Sequence, residues 1–224
     1  DLMIQMQRGA RAPRHIVDLS GIDSLRQIDW SADVVRIGAL CTHKALDSEP
    51  GLRRHFPGLC AAARVVGGHQ IRNAGTVGGN IANGSPAADV GTALLALDAR
   101  VHLIGHAGQR VLGMAAMFVE PGRTALGPGE LIAAIELDRP GPDAANAFLK
   151  TGRRKAMEIS VVCVAASLAL GPDGRIASTR IAMGAVGPRP PRARAAESAL
   201  RGRVPDAESF ELAGRQAGAE CTPR

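Results

Sequence analysis

The sequence predicts an α+β fold, in which a larger first part is followed by a smaller part built from a sheet and helices. Three observations support this prediction. Apolar residues recur at helical spacing over residues 52–66, whereas residues 100–104 and 130–137 have the alternating pattern of strands. The elements after residue 145 read as three strands followed by two helices. Between the two parts, residues 138–145 contain Pro140, Gly141 and Pro142, and we place a domain boundary there.

The composition is that of a globular protein and excludes several classes. Of the 224 residues, 46% are hydrophobic and 21% are charged, which excludes a disordered chain. We find no apolar run long enough for a membrane span and no signal peptide. The aromatic content of 2% argues against a protein that stacks nucleic-acid bases. The four cysteines lie far apart, so we expect reduced thiols in a cytoplasmic protein rather than disulfides or a cysteine metal site.

In the first part, short apolar runs and turn residues predict the elements. We expect strands over residues 15–19 and 34–40. Thr42 is expected to cap a helix over residues 43–48 that Pro50 ends, and a longer helix over 52–66 is closed by Gly67 and Gly68. Residues 69–89 have no strong period and are predicted to be a long loop. A buried helix over residues 88–97 follows.

In the second part, we expect strands over residues 147–151, 161–170 and 176–186. Pro172, Asp173 and Gly174 form a tight hairpin turn between the last two strands. Helices are predicted over residues 194–201 and 206–221. The arginine-rich run over 189–203 is either a solvated face or a docking surface for an acidic partner.

The glycine- and asparagine-rich segment 70–89 carries the chemistry. Adjacent Gly78 and Gly79 lack Cβ atoms and permit positive φ, so backbone N–H groups could converge on a phosphate oxygen, with Thr76 and Asn80 adding side-chain donors. The carboxylate of Asp89 suits sugar hydroxyls. The alternatives are a purely structural turn at the glycines and a helix N-cap at Asp89. The P-loop pattern GxxxxGK[ST] is absent, which argues against a P-loop nucleoside triphosphatase.

Segment 70–89 resembles the FAD-binding segment of the flavoprotein subunits of molybdenum hydroxylases, the family of carbon monoxide dehydrogenase medium subunits and xanthine dehydrogenases. Residues 35–39, 122–126, 130–132 and 148–154 also resemble this family. The resemblance implies a PCMH-type FAD-binding domain of two subdomains over residues 1–143. A C-terminal domain of the carbon monoxide dehydrogenase flavoprotein type follows over residues 146–224. Asp1 resembles the end of the family's first FAD loop, and residues 221–224 stop without a closing element, so we expect a fragment truncated at both ends.

The resemblance also implies roles for individual residues. The FAD pyrophosphate would be held by Thr76, Val77, Gly78, Gly79 and Asn80, together with the loop that ends at Asp1. Asp89 would bind a hydroxyl, Ile132 and Lys150 would approach the isoalloxazine, and Val66 would lie near the adenine. A cation at Lys150 would favour the reduced, anionic flavin. The alternative for Lys150 is a solvated strand lysine. We expect no catalytic residue and no metal ligand in this chain.

The function that the resemblance implies is that of an FAD-binding electron-transfer subunit of an oxidoreductase. Its partners would be a large molybdopterin-binding subunit and a small 2Fe-2S subunit, in a heterotrimer or its dimer. Electrons from the iron–sulfur clusters would pass through FAD to NAD, a quinone or another acceptor. No nucleic acid and no membrane span are expected. The alternatives are a stand-alone PCMH-type flavoprotein oxidase and a non-catalytic scaffold that has lost FAD.

Overall fold

Two antiparallel sheets and the helices packed on them organise the chain. The computed structural model describes residues 2–154 and 157–222, so Asp1 lies outside the described residues. The strands are β1 Ile28–Trp30, β2 Val34–Gly38, β3 Arg100–Gly105, β4 Gly108–Gly113, β5 Phe118–Glu120, β6 Arg123–Thr124, β7 Leu131–Asp138, β8 Ala144–Thr151, β9 Val162–Leu170 and β10 Ile176–Gly184. The helices are α1 Leu2–Gln7, α2 His43–Ser48, α3 Pro50–His55, α4 Pro57–Arg64, α5 His69–Ala74, α6 Val77–Ala82, α7 Asp89–Ala96, α8 Met114–Met117, α9 Arg194–Leu200 and α10 Ala207–Ala219. The α+β class is therefore confirmed.

The larger sheet has the strand order β1-β2-β7-β3-β4, and each neighbouring pair is antiparallel. Because strand side chains alternate between faces, one face is apolar and one is charged. The apolar face is fully buried and includes Val35, Ile37, Val101 and Ile135. On the charged face, Glu136 lies between arginines of the two strands that flank β7, pairing with Arg100 at 2.8 Å and with Arg36 at 3.4 Å.

The smaller sheet, of order β10-β9-β8, has helices on both faces. On β9, Cys163 and Ala165 point into the same core as the larger sheet, whereas Val164 and Ala166 pack on a second apolar cluster under α9 and α10. The hairpin turn between β9 and β10 is confirmed: the Gly174 N–H donates to the Gly171 carbonyl, and Gly174 has a φ of +72°. The two parts of the chain thus share one hydrophobic core.

The predictions of a strand over residues 15–19 and of a single helix over residues 52–66 were wrong. In the described part of the chain, residues 15–19 pair with no neighbouring strand, and Val17 is 79% exposed. The single helix over 52–66 is two helices, α3 and α4, because Pro57 starts a new helix after Phe56, whose φ of −131° is not helical. The Thr42 cap is confirmed, since its hydroxyl accepts the Ala45 N–H at 3.1 Å.

The predicted loop over 69–89 contains two short helices, α5 and α6. Neither is long enough to show the apolar period on which the sequence prediction depended. Their ends are defined by local bonds, with Thr76 capping α6 through the Gly79 N–H. Gly78 and Gly79 therefore lie in helical backbone and not in an extended loop. None of the described helices has the length and apolar character that a membrane crossing would require.

The arginine-rich run 189–203 is neither wholly solvated nor wholly free for docking. Arg192 forms a largely buried ion pair with Glu197, which Arg194 also approaches at 3.5 Å. Arg189 donates to the Phe118 carbonyl at 3.4 Å. Arg189 thus attaches the segment before α9 to β5, whereas Arg192 and Arg194 pair with Glu197 of α9 itself.

Candidate functional site

The five residues predicted to hold a pyrophosphate form the N-cap and the first turn of α6. Thr76 stands before the helix, and its Oγ1 accepts the Gly79 N–H at 3.1 Å. The Asn80 N–H donates to the Thr76 carbonyl at 2.9 Å. Thr76 is partly exposed and Gly79 is exposed. The turn is thus a capped helix N-terminus with polar groups at the surface.

The backbone donors of this turn are already bonded within the protein. The Val77 N–H donates to the Cys41 carbonyl at 2.9 Å, and the Gly78 N–H donates to the Ala39 carbonyl at 2.8 Å. Val77 itself is fully buried. The N–H groups of Gly79 and Asn80 both donate to Thr76. The expectation that successive N–H groups converge on one phosphate oxygen is therefore wrong, because these donors attach α6 to the segment after β2 and close its first turn.

The two adjacent glycines serve different needs, and positive φ is not one of them, since both lie in α6. A Cβ at Gly78 would lie 2.8 Å from both the Cβ and the carbonyl oxygen of Ala39, so only glycine permits this close contact. A Cβ at Gly79 would meet only the Thr76 hydroxyl, at 3.0 Å. Gly78 therefore allows the turn to pack closely against Ala39, and Gly79 leaves the outer surface of the turn uncovered.

Asn80 connects this turn to the next helix. Its side-chain Oδ1 accepts the Gly91 N–H, in the first turn of α7, at 3.2 Å. At least one polar atom of Asn80 is therefore used to hold α6 against α7. The helix that carries Thr76 and Gly79 cannot shift independently of α7 without losing this bond.

Asp89 and Lys150 form a buried ion pair. Lys150 Nζ lies 2.7 Å from Asp89 Oδ2, with exposed side-chain fractions of 12% and 6%. Nζ also donates to the carbonyls of Glu158 at 2.9 Å and Val65 at 3.4 Å, and Ser160 Oγ donates to Asp89 Oδ1 at 2.6 Å. Lys150 is thus not a solvated strand lysine. Asp89 is not an N-cap either, since it is the first residue of α7 and its carboxylate bonds to the second part of the chain.

The remaining predicted site residues lie on other elements. Ile132 is on β7 opposite Leu103, 8% exposed, and belongs to the main hydrophobic core. Val66 follows α4, and its carbonyl accepts from Arg72 at 3.3 Å. The structure therefore pairs Asp89 with Lys150, and Asn80 holds α6 to α7, the helix that Asp89 begins. Val66 directly follows Val65, whose carbonyl accepts from Lys150.

The turn that ends the segment 70–89 contacts a second region that the family resemblance singled out. Gly84 has a φ of +62°, and a Cβ there would lie 2.9 Å from the Arg123 nitrogen. Its carbonyl accepts the Gly122 N–H at 2.9 Å. Residues 122–124 therefore lie directly beside the end of the glycine-rich segment, as a shared site would require.

His43 is a buried residue near the α6 turn that the sequence analysis did not single out. It is 2% exposed, and a Cβ at Gly75 would lie 3.2 Å from its ring. Burial, together with the charge of Arg72, lowers the pKa of His43 to about 4. Its Nδ1 has no hydrogen-bond partner among the described residues. The only sequence signal was its place directly after the cap residue Thr42.

Comparison with known proteins identifies the family. A family model described as "FAD binding domain in molybdopterin dehydrogenase" matches residues 1–140, and "CO dehydrogenase flavoprotein C-terminal domain" matches residues 147–224. The chain belongs to the FAD-binding subunits of the molybdenum hydroxylases. It is 33% identical to the putative xanthine dehydrogenase FAD-binding subunit XdhB of Escherichia coli (strain K12), across 100% of this chain and 77% of that protein.

Two further similarities agree with membership of this family. The chain is 32% identical to the nicotinate dehydrogenase FAD-subunit of Eubacterium barkeri, over 94% of this chain and 72% of that protein. A solved carbon monoxide dehydrogenase from Hydrogenophaga pseudoflava superimposes with a TM-score of 0.93 at 30% identity, covering 100% of this chain and 77% of that chain. The PCMH-type fold, the FAD cofactor and the oxidoreductase class are therefore confirmed for this FAD-binding subunit.

The residues of the α6 turn fit the chemistry of FAD. Its pyrophosphate is a small dianion, which the positive end of a helix dipole attracts. The Thr76 hydroxyl can donate to it while its oxygen accepts the Gly79 N–H, and Gly79 has no Cβ in the way. Among residues 2–154 and 157–222, no group of three or more His, Cys, Asp or Glu side chains is arranged to hold a metal ion.

The buried His43 predicts a specific loss of stability in acid. Its pKa lies near 4 in the folded protein and near 6.5 in an unfolded chain, so the unfolded state binds the extra proton between these values. Stability contributed by the neutral ring is therefore full above about pH 6.5 and is lost as the pH falls towards 4. Over this range the free energy of unfolding falls by about 3 kcal/mol. Urea unfolding of His43→Phe should accordingly depend less on pH across this window than unfolding of the wild type.

The exposed His15 provides the control for this measurement, because His15→Phe should leave the pH dependence unchanged. Equal slopes for the wild type and His43→Phe between pH 4 and 6.5 would contradict the assignment of a neutral, buried His43.

Proposed function

We propose that this chain is the electron-transfer subunit of a three-component molybdenum hydroxylase. It takes electrons from the iron–sulfur clusters of a small 2Fe-2S subunit, which receives them from a large molybdopterin-binding subunit that oxidises the substrate. It passes them to NAD, a quinone or another acceptor. Support comes from membership of the family and from relatives that are named as FAD-binding or medium subunits of dehydrogenases. We place the assembly in the cytoplasm.

The observation that carries the proposal is the exposed, capped N-terminus of α6. The Thr76 hydroxyl can donate its proton while its oxygen accepts the Gly79 N–H, and Gly79 has no Cβ that would cover this surface. We propose that the Thr76 hydroxyl contacts the FAD pyrophosphate directly beside Gly79 and that Val77 and Gly78 hold the turn in place. When bound, FAD supplies the two-electron carrier between the clusters and the final acceptor.

Asp89, Lys150, Ile132 and Val66 are proposed to shape the rest of the FAD site. The charges of Asp89 and Lys150 compensate each other, so the pair presents fixed polar atoms rather than a free cation. This pairing changes the expectation for Lys150, because its amino group is already surrounded by three oxygen atoms of the chain. Asn80 keeps α6 in register with α7. We propose the division into residues 1–143 and 146–224 as the domain organisation.

Blocking the outer surface of the α6 turn should weaken FAD binding. Gly79→Val places a branched side chain against Thr76 Oγ1 and over the proposed pyrophosphate position. We expect the Kd for FAD to rise at least tenfold, which corresponds to about 1.4 kcal/mol. Gly113→Val is the matched control, since a Cβ at exposed Gly113 meets no atom within 4 Å. A folded Gly79→Val protein that binds FAD as tightly as Gly113→Val would exclude this turn from the site.

The assembly itself is tested by purifying the chain, through an affinity tag, from cells that make its natural partners. We expect FAD, molybdenum and iron to co-purify in constant proportions through size-exclusion chromatography. Two further polypeptides should be present in equal amounts. An FAD-loaded chain that elutes alone and carries neither metal would contradict the electron-transfer role and favour a stand-alone flavoprotein.

A further inference from the structure

We propose that Ser160 is a positioning residue for the FAD site, acting through Asp89; this inference rests on the proposed function. Ser160 belongs to the second part of the chain, outside the glycine-rich segment. Its hydroxyl is 2.6 Å from Asp89 Oδ1, and the residue is 6% exposed. The group that orients the acidic residue of the site therefore comes from the other family-model domain.

The hydroxyl of Ser160 fixes the orientation of a carboxylate that could otherwise rotate. Each oxygen of Asp89 has its own partner, Ser160 for Oδ1 and Lys150 for Oδ2. Without the hydroxyl, Oδ1 would be left as a buried acceptor that lacks this donor. The carboxylate would then turn to share Lys150 between its two oxygens or to admit water.

Lys150 does not depend on Asp89 alone in the same way. Its amino group also donates to the carbonyls of Glu158 and Val65, which are parts of the backbone. These bonds keep Nζ in place when the carboxylate turns. Ser160 is therefore the side chain whose removal changes the orientation of Asp89 while leaving the lysine held by the backbone.

A change at Asp89 is transmitted to the α6 turn by a short path. Asp89 is the first residue of α7, and the N–H of Gly91 in the same turn donates to Asn80 Oδ1 of α6. Thr76 caps α6, and Gly79 lies in the first turn of that helix. Loosening the start of α7 therefore reaches the hydroxyl proposed to contact the pyrophosphate.

The test is a titration of the FAD-free protein with FAD, followed by flavin fluorescence. We expect Ser160→Ala to raise the Kd about tenfold at a temperature where every variant is folded. Ser167→Ala is the matched control, because Ser167 Oγ donates at 2.7 Å to the Ala96 carbonyl at the opposite end of α7. We expect that control to bind FAD as the wild type does. Ser160→Cys, which keeps a weak donor, should give an intermediate Kd and serves if the alanine variant does not fold.

A double-mutant cycle separates positioning from a general structural effect. If Ser160 acts through Asp89, then Ser160→Ala should change the Kd little in a protein that already carries Asp89→Ala, which removes the acceptor of the Ser160 hydroxyl. Additive effects of the two substitutions would overturn the proposal, as would equal losses for Ser160→Ala and Ser167→Ala. Wild-type affinity in both Ser160→Ala and Ser160→Cys would also overturn it. A wild-type protein that does not bind FAD would instead contradict the proposed function itself.

Discussion

The ion pair between Asp89 and Lys150 is the interaction on which the arrangement of the site depends. Removing two charges from water is costly, and such a pair is stable only when its other hydrogen-bonding atoms are also satisfied. Here Ser160 and the carbonyls of Glu158 and Val65 complete the set. Because the participants come from α7, β8, the end of α4 and the segment before β9, the pair fixes the position of four parts of the chain at once.

The apolar surroundings of the pair explain how these parts come so close together. Helices α4 and α7 pack on the smaller sheet at glycine contacts, where larger residues would not fit. A Cβ at Gly58 of α4 would lie 3.0 Å from the Ala147 backbone, and one at Gly184 of β10 would lie 2.6 Å from Thr92 Oγ1 of α7 and 2.5 Å from Cys163 Sγ of β9. Burial raises the pKa of the Cys163 thiol to about 11, so this side chain behaves as a neutral apolar group in the interface. The FAD-binding part therefore derives its shape partly from the second part of the chain.

Local signals in the sequence were sufficient for much of the fold and for less of the site. The Thr42 cap and the turn at Gly174 were predicted because their bonds join residues close in sequence. The break at Pro57 was missed because an apolar pattern continued across it. The bonds of Val77 and Gly78 to the segment after β2, and of Asp89 to Lys150 at a separation of 61 residues, depend on tertiary contacts that no local pattern specifies. The family resemblance proposed these residues for the site, and only the structure showed which of their atoms are already bonded.

Asp89 and Lys150 stabilise the fold as a pair. The most direct measurement is the free energy of unfolding, by urea at neutral pH and without FAD, of Asp89→Asn, Lys150→Met and the double variant. Each single substitution should cost about 3–5 kcal/mol, because it leaves a buried charge without its partner. The double variant should cost clearly less than the sum of the two. Strictly additive losses, or single losses below about 1 kcal/mol as in an exposed pair, would contradict the claim.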